Sequence, residues 1–598
     1  MDNDTKGWNQ FKKIKLNRKL VAKRVKKAEN ATQRHAHRFV IKRIDNIRLV
    51  SREIITWLLV VGALIAALGF QLVWGQGNYS TTARIAGGLY VEGIVGQIDT
   101  LNPLYVSTGS EAAASRLLFS SLYNYDATGA LHQDVSQNMT ISPDGTEYTV
   151  KIRDDVSWHD KTPLTARDVV FTINLMKNPA VRSPLRINWL DVSAQELSSN
   201  EVKFKLPAAY AAFPHALTFP ILPEHILSSI APGAIRESTF SRTPIGSGPF
   251  SFRLLQAADS VSSHKVVHFT ANKDYYNGAP KLDRFEIHAY SDEAGILKAL
   301  KAGELSGAAG VSVTSVRDIN TKRYTLNPQP IDSGVYLLLN TTNPILKDEK
   351  VRKALQSATD TSLLRKDIGG GVLPLDTPIL ENRSTATDLP HLPAPSIPVA
   401  AALLDEAGWK ISGSYRVKEG QTLSLTITTT KSSEYEKAVA NVEEQWKKIG
   451  VKVEKKTVDT ANLSSTFVQN ILQARNFDVL LYELSLGADP DVYAYWHSSQ
   501  IGQTGYNFSN YSNKTADASL ASARSRNEPD LRSAKYRQFV KQWQQDVPAI
   551  ALYQPVLEYV ASDNVDTAAK NTRLVGESDR YSNVQYWTVA SGTVYKTP

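Results

Sequence analysis

Several groups of residues in this chain have the types and spacing to do chemistry. Trp158-His159-Asp160 sets an imidazole beside a carboxylate, the start of an acid–base pair or of a metal site. No second His/Asp/Glu cluster stands at ligand spacing, so the pair reads as part of a structural turn. Gly246-Ser247-Gly248-Pro249 has the glycines of a phosphate-cradling loop but lacks its Gly-Lys-Ser/Thr, and Pro249-Phe250-Ser251-Phe252 begins a strand rather than a helix. A tight turn is the expected structure. His159, His215, His225 and His288 are scattered and form no motif, which leaves no metal and no cofactor in the reading. Among 598 residues there is no cysteine. That removes disulfides, thiolate zinc sites, iron–sulfur clusters, thiol catalysis and any lipid-bearing cysteine together. No nucleophile–base constellation remains, and the chain is not expected to be an enzyme.

The elements that must position any site fall into two parts. Residues 1–53 hold sixteen Lys/Arg against five acids, so the net charge of +9 belongs to this tail and the remainder carries −2. A nucleic-acid-binding body wants a basic face, and this balance offers none. Ile54 to Trp74 carries no charge. As a helix it spans about 31 Å, close to a hydrocarbon core of about 30 Å. Trp57 and Trp74 lie near its ends, where amphipathic rings prefer the interface, and the basic side faces the cytoplasm. The expectation is a cell-membrane protein with a single pass: basic cytoplasmic tail 1–53, transmembrane helix 54–74, polar linker 75–84 and extracytoplasmic body 85–598. A cleaved signal peptide is the competing reading, with a 53-residue basic region before its apolar run and Gly75-Gln76-Gly77 as a poor cleavage site. The tail reads as a topology signal lying on anionic lipid, with docking of a cytoplasmic partner as the alternative.

The body alternates strand-like and helix-like segments. Strands are expected at 147–152, 202–206, 266–270, 285–289, 335–340, 423–428 and 477–482. Helices are expected at 112–122, 165–176, 294–302, 349–358, 398–407, 433–449 and 531–545. Thr165, with Asp168 three positions on, has the pattern of an N-cap, and Gly408 and Gly450 stand where helix-terminating glycines do. Mixed order of this kind implies α/β lobes with covered sheets.

Three stretches go beyond composition: NMTISPDGTEYTVKIRDDVSWHDKTPLTARDVVFTINLM at 138–176, TPIGSGPFSF at 243–252, and YLLLNTTNPILKDEKVRKALQSATDTSLL at 336–364. AAALLDEAGWK, VEEQWKKIGVKVE and FDVLLYELSLGADPDVYAYW follow in order. This ordered set resembles the extracytoplasmic solute-binding proteins of peptide-type ABC importers, the family-five group of oligopeptide, dipeptide and nickel binders. The likeness covers about residues 85 to 590.

The resemblance implies a periplasmic-binding-protein-like type II fold: two α/β lobes joined by crossover strands, with the extra domain of the large peptide binders. Carried over, lobe I is about 81–125, 245–332 and 555–598, the extra domain about 126–244, and lobe II about 333–554. It also implies capture of a peptide or peptide-like solute by lobe closure and delivery to an ABC permease and its ATPase. The alternative is a membrane-tethered receptor or scaffold of the same fold. Relatives fix a ligand ammonium with an aspartate shortly before an acidic-Pro pair. Here the pair is Asp489-Pro490 and the aspartate position falls on Leu486 or Gly487, neither of which can carry charge. The residues expected to meet ligand are Tyr90 and Glu92 on the first strand, Tyr336 and Asn340 on the strand that opens lobe II, and Glu483, Ser485, Asp489 and Trp496 in the altered motif. Arg352 is expected to be a packed surface charge rather than a ligand clamp.

Overall fold

The computed structural model describes residues 18–38, 51–257, 264–312, 319, 323–381, 389–459, 467–567 and 572–595. The chain forms two compact units, Met1–Ala83 with Ser591–Pro598, and Arg84–Ala590.

In the first unit Arg18–Ala36 and Ser51–Tyr79 are helices. The remainder of the basic tail, 1–17 and 39–50, lies outside the described residues. Ser51–Trp74 has a mean hydropathy of 2.2 and buries none of its surface in protein. Trp57, Leu59 and Phe70 are each about 70% exposed, which water disfavours on every face of a helix and lipid does not. By length and composition this helix suffices to cross a membrane. The stretch 75–84, expected as a linker, is regular structure: the helix continues to Tyr79, and Ser80–Ile85 pairs with Ala590–Tyr595 as a two-stranded sheet.

The second unit is built on two large sheets. The first has seven strands in the order Tyr324–Pro330, Val556–Ser562, Gly307–Ala309, Leu89–Val95, Arg284–Tyr290, Lys265–Ala271 and Phe250–Ala257. Leu89–Val95 lies parallel to both of its neighbours. Between those two neighbours the chain crosses over through helix Glu293–Ala302, capped at its start by Asp292 and at its end by Gly303 at φ 75°, where a side chain would be strained. The second sheet has five strands in the order Lys452–Val458, Ser424–Thr430, Val479–Ser485, Ser333–Leu339 and Ala549–Tyr553. Every residue of Ser333–Leu339 is buried. Its alternation explains why: Val335, Leu337 and Leu339 join the core on one face, Tyr336 and Leu338 the core on the other.

A four-stranded antiparallel sheet, Ser136–Ile141, Glu147–Ile152, Glu201–Lys205 and Ser193–Ser198, packs with helix Ala166–Lys177. Tyr148, Val150 and Ile152 point inward, as their period of two requires. They belong to one continuous apolar cluster with Tyr90, Phe285 and Tyr559 of the seven-stranded sheet. The region 126–244 thus packs its apolar residues continuously onto that sheet.

The helix expected over 112–122 runs instead from Gly109 to Leu118. The Gly-Ser-Gly-Pro turn stops it: Gly248 N–H donates to the Leu118 carbonyl at 2.8 Å, and Ser120 exchanges hydrogen bonds with Ser247. A Cβ on Gly246 would stand 1.9 Å from the Leu118 oxygen, so glycine is obligatory there. His159 closes the same turn. Gly246 N–H donates to its Nδ1 at 3.2 Å, and its Nε2 meets the Gly248 carbonyl at 3.0 Å. Burial pushes this imidazole down to about 4, so it is neutral at physiological pH. The two motifs that looked chemical are one structural clasp.

Candidate ligand-binding cleft

The two large sheets are joined where the chain crosses between them twice, from Pro330 to Ser333 and back from Tyr553 to Val556. The crossings are tied together: Ile331 N–H donates to the Pro555 carbonyl at 3.1 Å, and Gln554 Nε2 donates to the Ile331 carbonyl at 2.8 Å. Asp332 is fully buried between them and holds Arg573 at 2.7 Å. Its carbonyl accepts from Leu486 and Gly487 N–H, at 2.9 and 3.0 Å. The two positions where the family pattern places an ammonium-binding aspartate thus serve the crossing with their backbone.

Beside these crossings lies a cavity of about 600 Å³, within the usual size for small-ligand sites. One wall is Val95, Gly310, Val311, Leu557 and Glu558; the other is Gly369, Lys431, Glu434, Tyr435 and Glu483. Each wall belongs to a different sheet. Glu434 and Tyr435 sit in the first turn of helix Ser433–Lys447. Five glutamates line the space, Glu293, Glu434, Glu483, Glu558 and Glu577, against Lys431 and Lys437. Lys431 pairs with Asp459 at 3.2 Å.

The carboxylates differ in their support. Glu434 accepts from the Tyr553 hydroxyl at 2.6 Å. Glu483 faces Tyr435 at 3.4 Å. Burial raises its pKa, Glu434 and Glu577 push the same way, and hydrogen bonds from Ser333 and Tyr435 oppose them. Glu558 is 6% exposed, and neither carboxylate oxygen has a hydrogen-bond partner among the described residues. Burial, then the nearby Glu434, pushes it up to about 7.

Of the eight residues expected to meet ligand, Glu483 lines this cleft and the other seven do not. Tyr90 is core, packed on Phe285 and Trp587 with its hydroxyl on that of Tyr559. Glu92 is a wholly buried ion pair with Arg580 at 2.8 Å. Tyr336 and Trp496 are fully buried with Trp543, and Tyr336 donates to the Thr377 carbonyl at 3.0 Å. Asn340 braces a turn, donating to the Phe477 carbonyl at 3.0 Å. Ser485 ends an exposed strand terminus whose carbonyl accepts from Tyr495 at 2.7 Å. Asp489 is bound by Arg532 through both oxygens, at 2.6 and 2.7 Å, and accepts from Asp491 N–H at 2.9 Å. Arg352 donates to the carbonyls of Leu346, Lys347, Asp546 and Val547, and is 8% exposed rather than a surface charge. Among the described residues no His/Cys/Asp/Glu group has the arrangement to hold a metal ion.

Glu434, Glu558, Glu577 and Glu293 were not visible as site residues. One signal existed: Glu558 is the only charge in the strand VLEYVAS, where an acid without a purpose is costly.

Two α/β sheets, crossed twice by the chain and facing each other over a polar cleft, define a two-lobed solute-binding protein. The profile of bacterial extracellular solute-binding proteins, family 5 (middle region), matches residues 127–506, and the chain belongs to this family. It is 28% identical over 518 residues to the oligopeptide-binding protein AppA of Bacillus subtilis, covering 84% of this chain and 92% of that one. The structure of that AppA with a nonapeptide superimposes with a TM-score of 0.68, at 27% identity, over 85% of this chain and all of AppA. NikZ of Campylobacter jejuni, in complex with Ni(L-His), gives 0.70 at 26% identity over 84% and 99% of the two chains. CtaP of Listeria monocytogenes, an ABC transporter substrate-binding protein, gives 0.73 at 25% identity over 84% and 100%.

Proposed function

We propose that this chain is the membrane-tethered substrate-binding component of an ABC importer, taking peptides or peptide-like solutes and delivering them to a permease driven by its ATPase. The observation that carries this reading is the cleft of about 600 Å³ whose walls belong to two sheets joined by two adjacent crossings. A ligand touching both walls stabilises the closed arrangement because only there does it make both sets of contacts. No chemical step is needed. The lobes in this reading are about 81–125 with 245–332 and 555–598, and about 333–554, with 126–244 packed on the first. Ser51–Trp74 serves as the tether, with the basic tail in the cytoplasm. The test is mass spectrometry of small molecules released when the full chain, purified in mild detergent, is denatured. Peptides are expected, and Ser433→Trp, which fills the cleft, should purify without them. Peptides released equally from both proteins contradict the assignment of the site.

A further inference from the structure

The cleft contains a group that the proposed function leaves unexplained. Glu558 lies on a strand of apolar neighbours, nearly excluded from water, with both carboxylate oxygens facing no donor among the described residues. Such a group is costly unless something compensates it. The strands flanking it, Tyr324–Pro330 and Gly307–Ala309, contribute no charge. What faces it across the cleft is Glu434, with Glu483, Glu293 and Glu577 on the same cavity. Lys437 and the already paired Lys431 leave the carboxylates in excess. A zwitterionic peptide brings one ammonium and one carboxylate and cannot redress that excess. A ligand with net positive charge can.

We propose that the cleft selects ligands of net positive charge, with Glu558 on one wall and Glu434 on the other receiving an ammonium or guanidinium group. Resting on the solute-binding reading above, this names the substrate class of that site: basic peptides, or polyamine-like cations. The donor enters as the closing contact, since the two carboxylates stand on opposite walls. Arginine or lysine side chains supply donors without an acceptor, which suits a pocket rich in acceptors. The test is calorimetric titration of the full chain in detergent with trialanine, Ala-Lys-Ala, Ala-Glu-Ala and spermidine; the three peptides share both termini. Ala-Lys-Ala is expected to bind roughly tenfold or more tighter than trialanine, with Ala-Glu-Ala the weakest. In Glu558→Gln the ratio of Ala-Lys-Ala to trialanine affinity should fall to about twofold or less. Glu434→Gln, on a half-exposed helix turn, should reduce the preference as well and covers the case in which the first variant does not fold. Equal affinity for trialanine and Ala-Lys-Ala, or an unchanged preference in both variants, overturns charge selection and leaves the peptide-binding function standing. Binding of spermidine with no tripeptide supports charge selection and overturns the peptide reading. Failure of both Ala-Lys-Ala and spermidine to bind overturns the proposal.

Discussion

Glu558 and Glu92 are both buried carboxylates on strands of the seven-stranded sheet, and their partners make them opposites. Glu92 is paired with Arg580, itself 2% exposed, so removing the cation strands a buried charge. Arg580→Ala is expected to cost about 3–5 kcal/mol, read by denaturant unfolding; a loss below 1 kcal/mol would show the pair to be dispensable. Glu558 has no such partner among the described residues, and its carboxyl is raised from 4.5 to about 7. The folded state therefore holds that proton more tightly than the unfolded chain. The resulting penalty is absent below about 4.5, grows between the two values and is fully present above about 7. Glu558→Gln removes it. Its Tm should match the parent at pH 4 and exceed it by about 2 °C at pH 8; a higher Tm at pH 4 than at pH 8, relative to the parent, reverses the sign and contradicts the assignment. The sequence hid this residue for a physical reason. Glu434 and Glu558 are more than a hundred positions apart, and only the return of the chain through the second crossing brings them to one cavity. The carried-over motif pointed instead to Asp489, whose partner Arg532, on helix Pro529–Asp546, takes both of its oxygens.

At the scale of elements, local pattern was legible wherever burial was simple. The period of two in EYTVKI put the right residues inward, and helices 166–177, 293–302 and 433–447 stand within a few residues of their expected limits. Where a long-range contact decides, pattern fails: the helix ending at Leu118 is cut short by a turn that follows it by more than a hundred residues. That turn has no slack. Gly246→Ala is expected to destabilise the chain by about 2–4 kcal/mol, because a methyl cannot share space with the Leu118 carbonyl without moving backbone. Thermal unfolding of the variant at the parent's Tm would contradict this. His159 belongs to the same clasp, and its distance in sequence from the turn it holds is why local pattern does not show the contact.

For the whole molecule, the overall plan was read from an ordered set of motifs, and the family assignment agrees with it. The 126–244 region shares a buried apolar cluster with the seven-stranded sheet. Excised alone, 126–244 would expose the apolar surface it packs on that sheet and is expected to lose cooperative thermal unfolding; a sharp transition in the isolated segment would contradict this. Deleting residues 1–74 should release the chain from membranes into the soluble fraction, since the body carries no comparable apolar helix among its described residues; membrane retention of the deletion would remove the tether from the account. The proposed function turns on closure of the two sheet-bearing halves on a ligand in the acidic cleft. With no native cysteine, Lys298→Cys and Ala440→Cys, exposed on helices Glu293–Ala302 and Ser433–Lys447, give a unique spin-label pair. Pulsed dipolar spectroscopy should show the label distance shortening and its distribution narrowing when Ala-Lys-Ala saturates the protein. A bound ligand with an unchanged distance distribution would contradict the account.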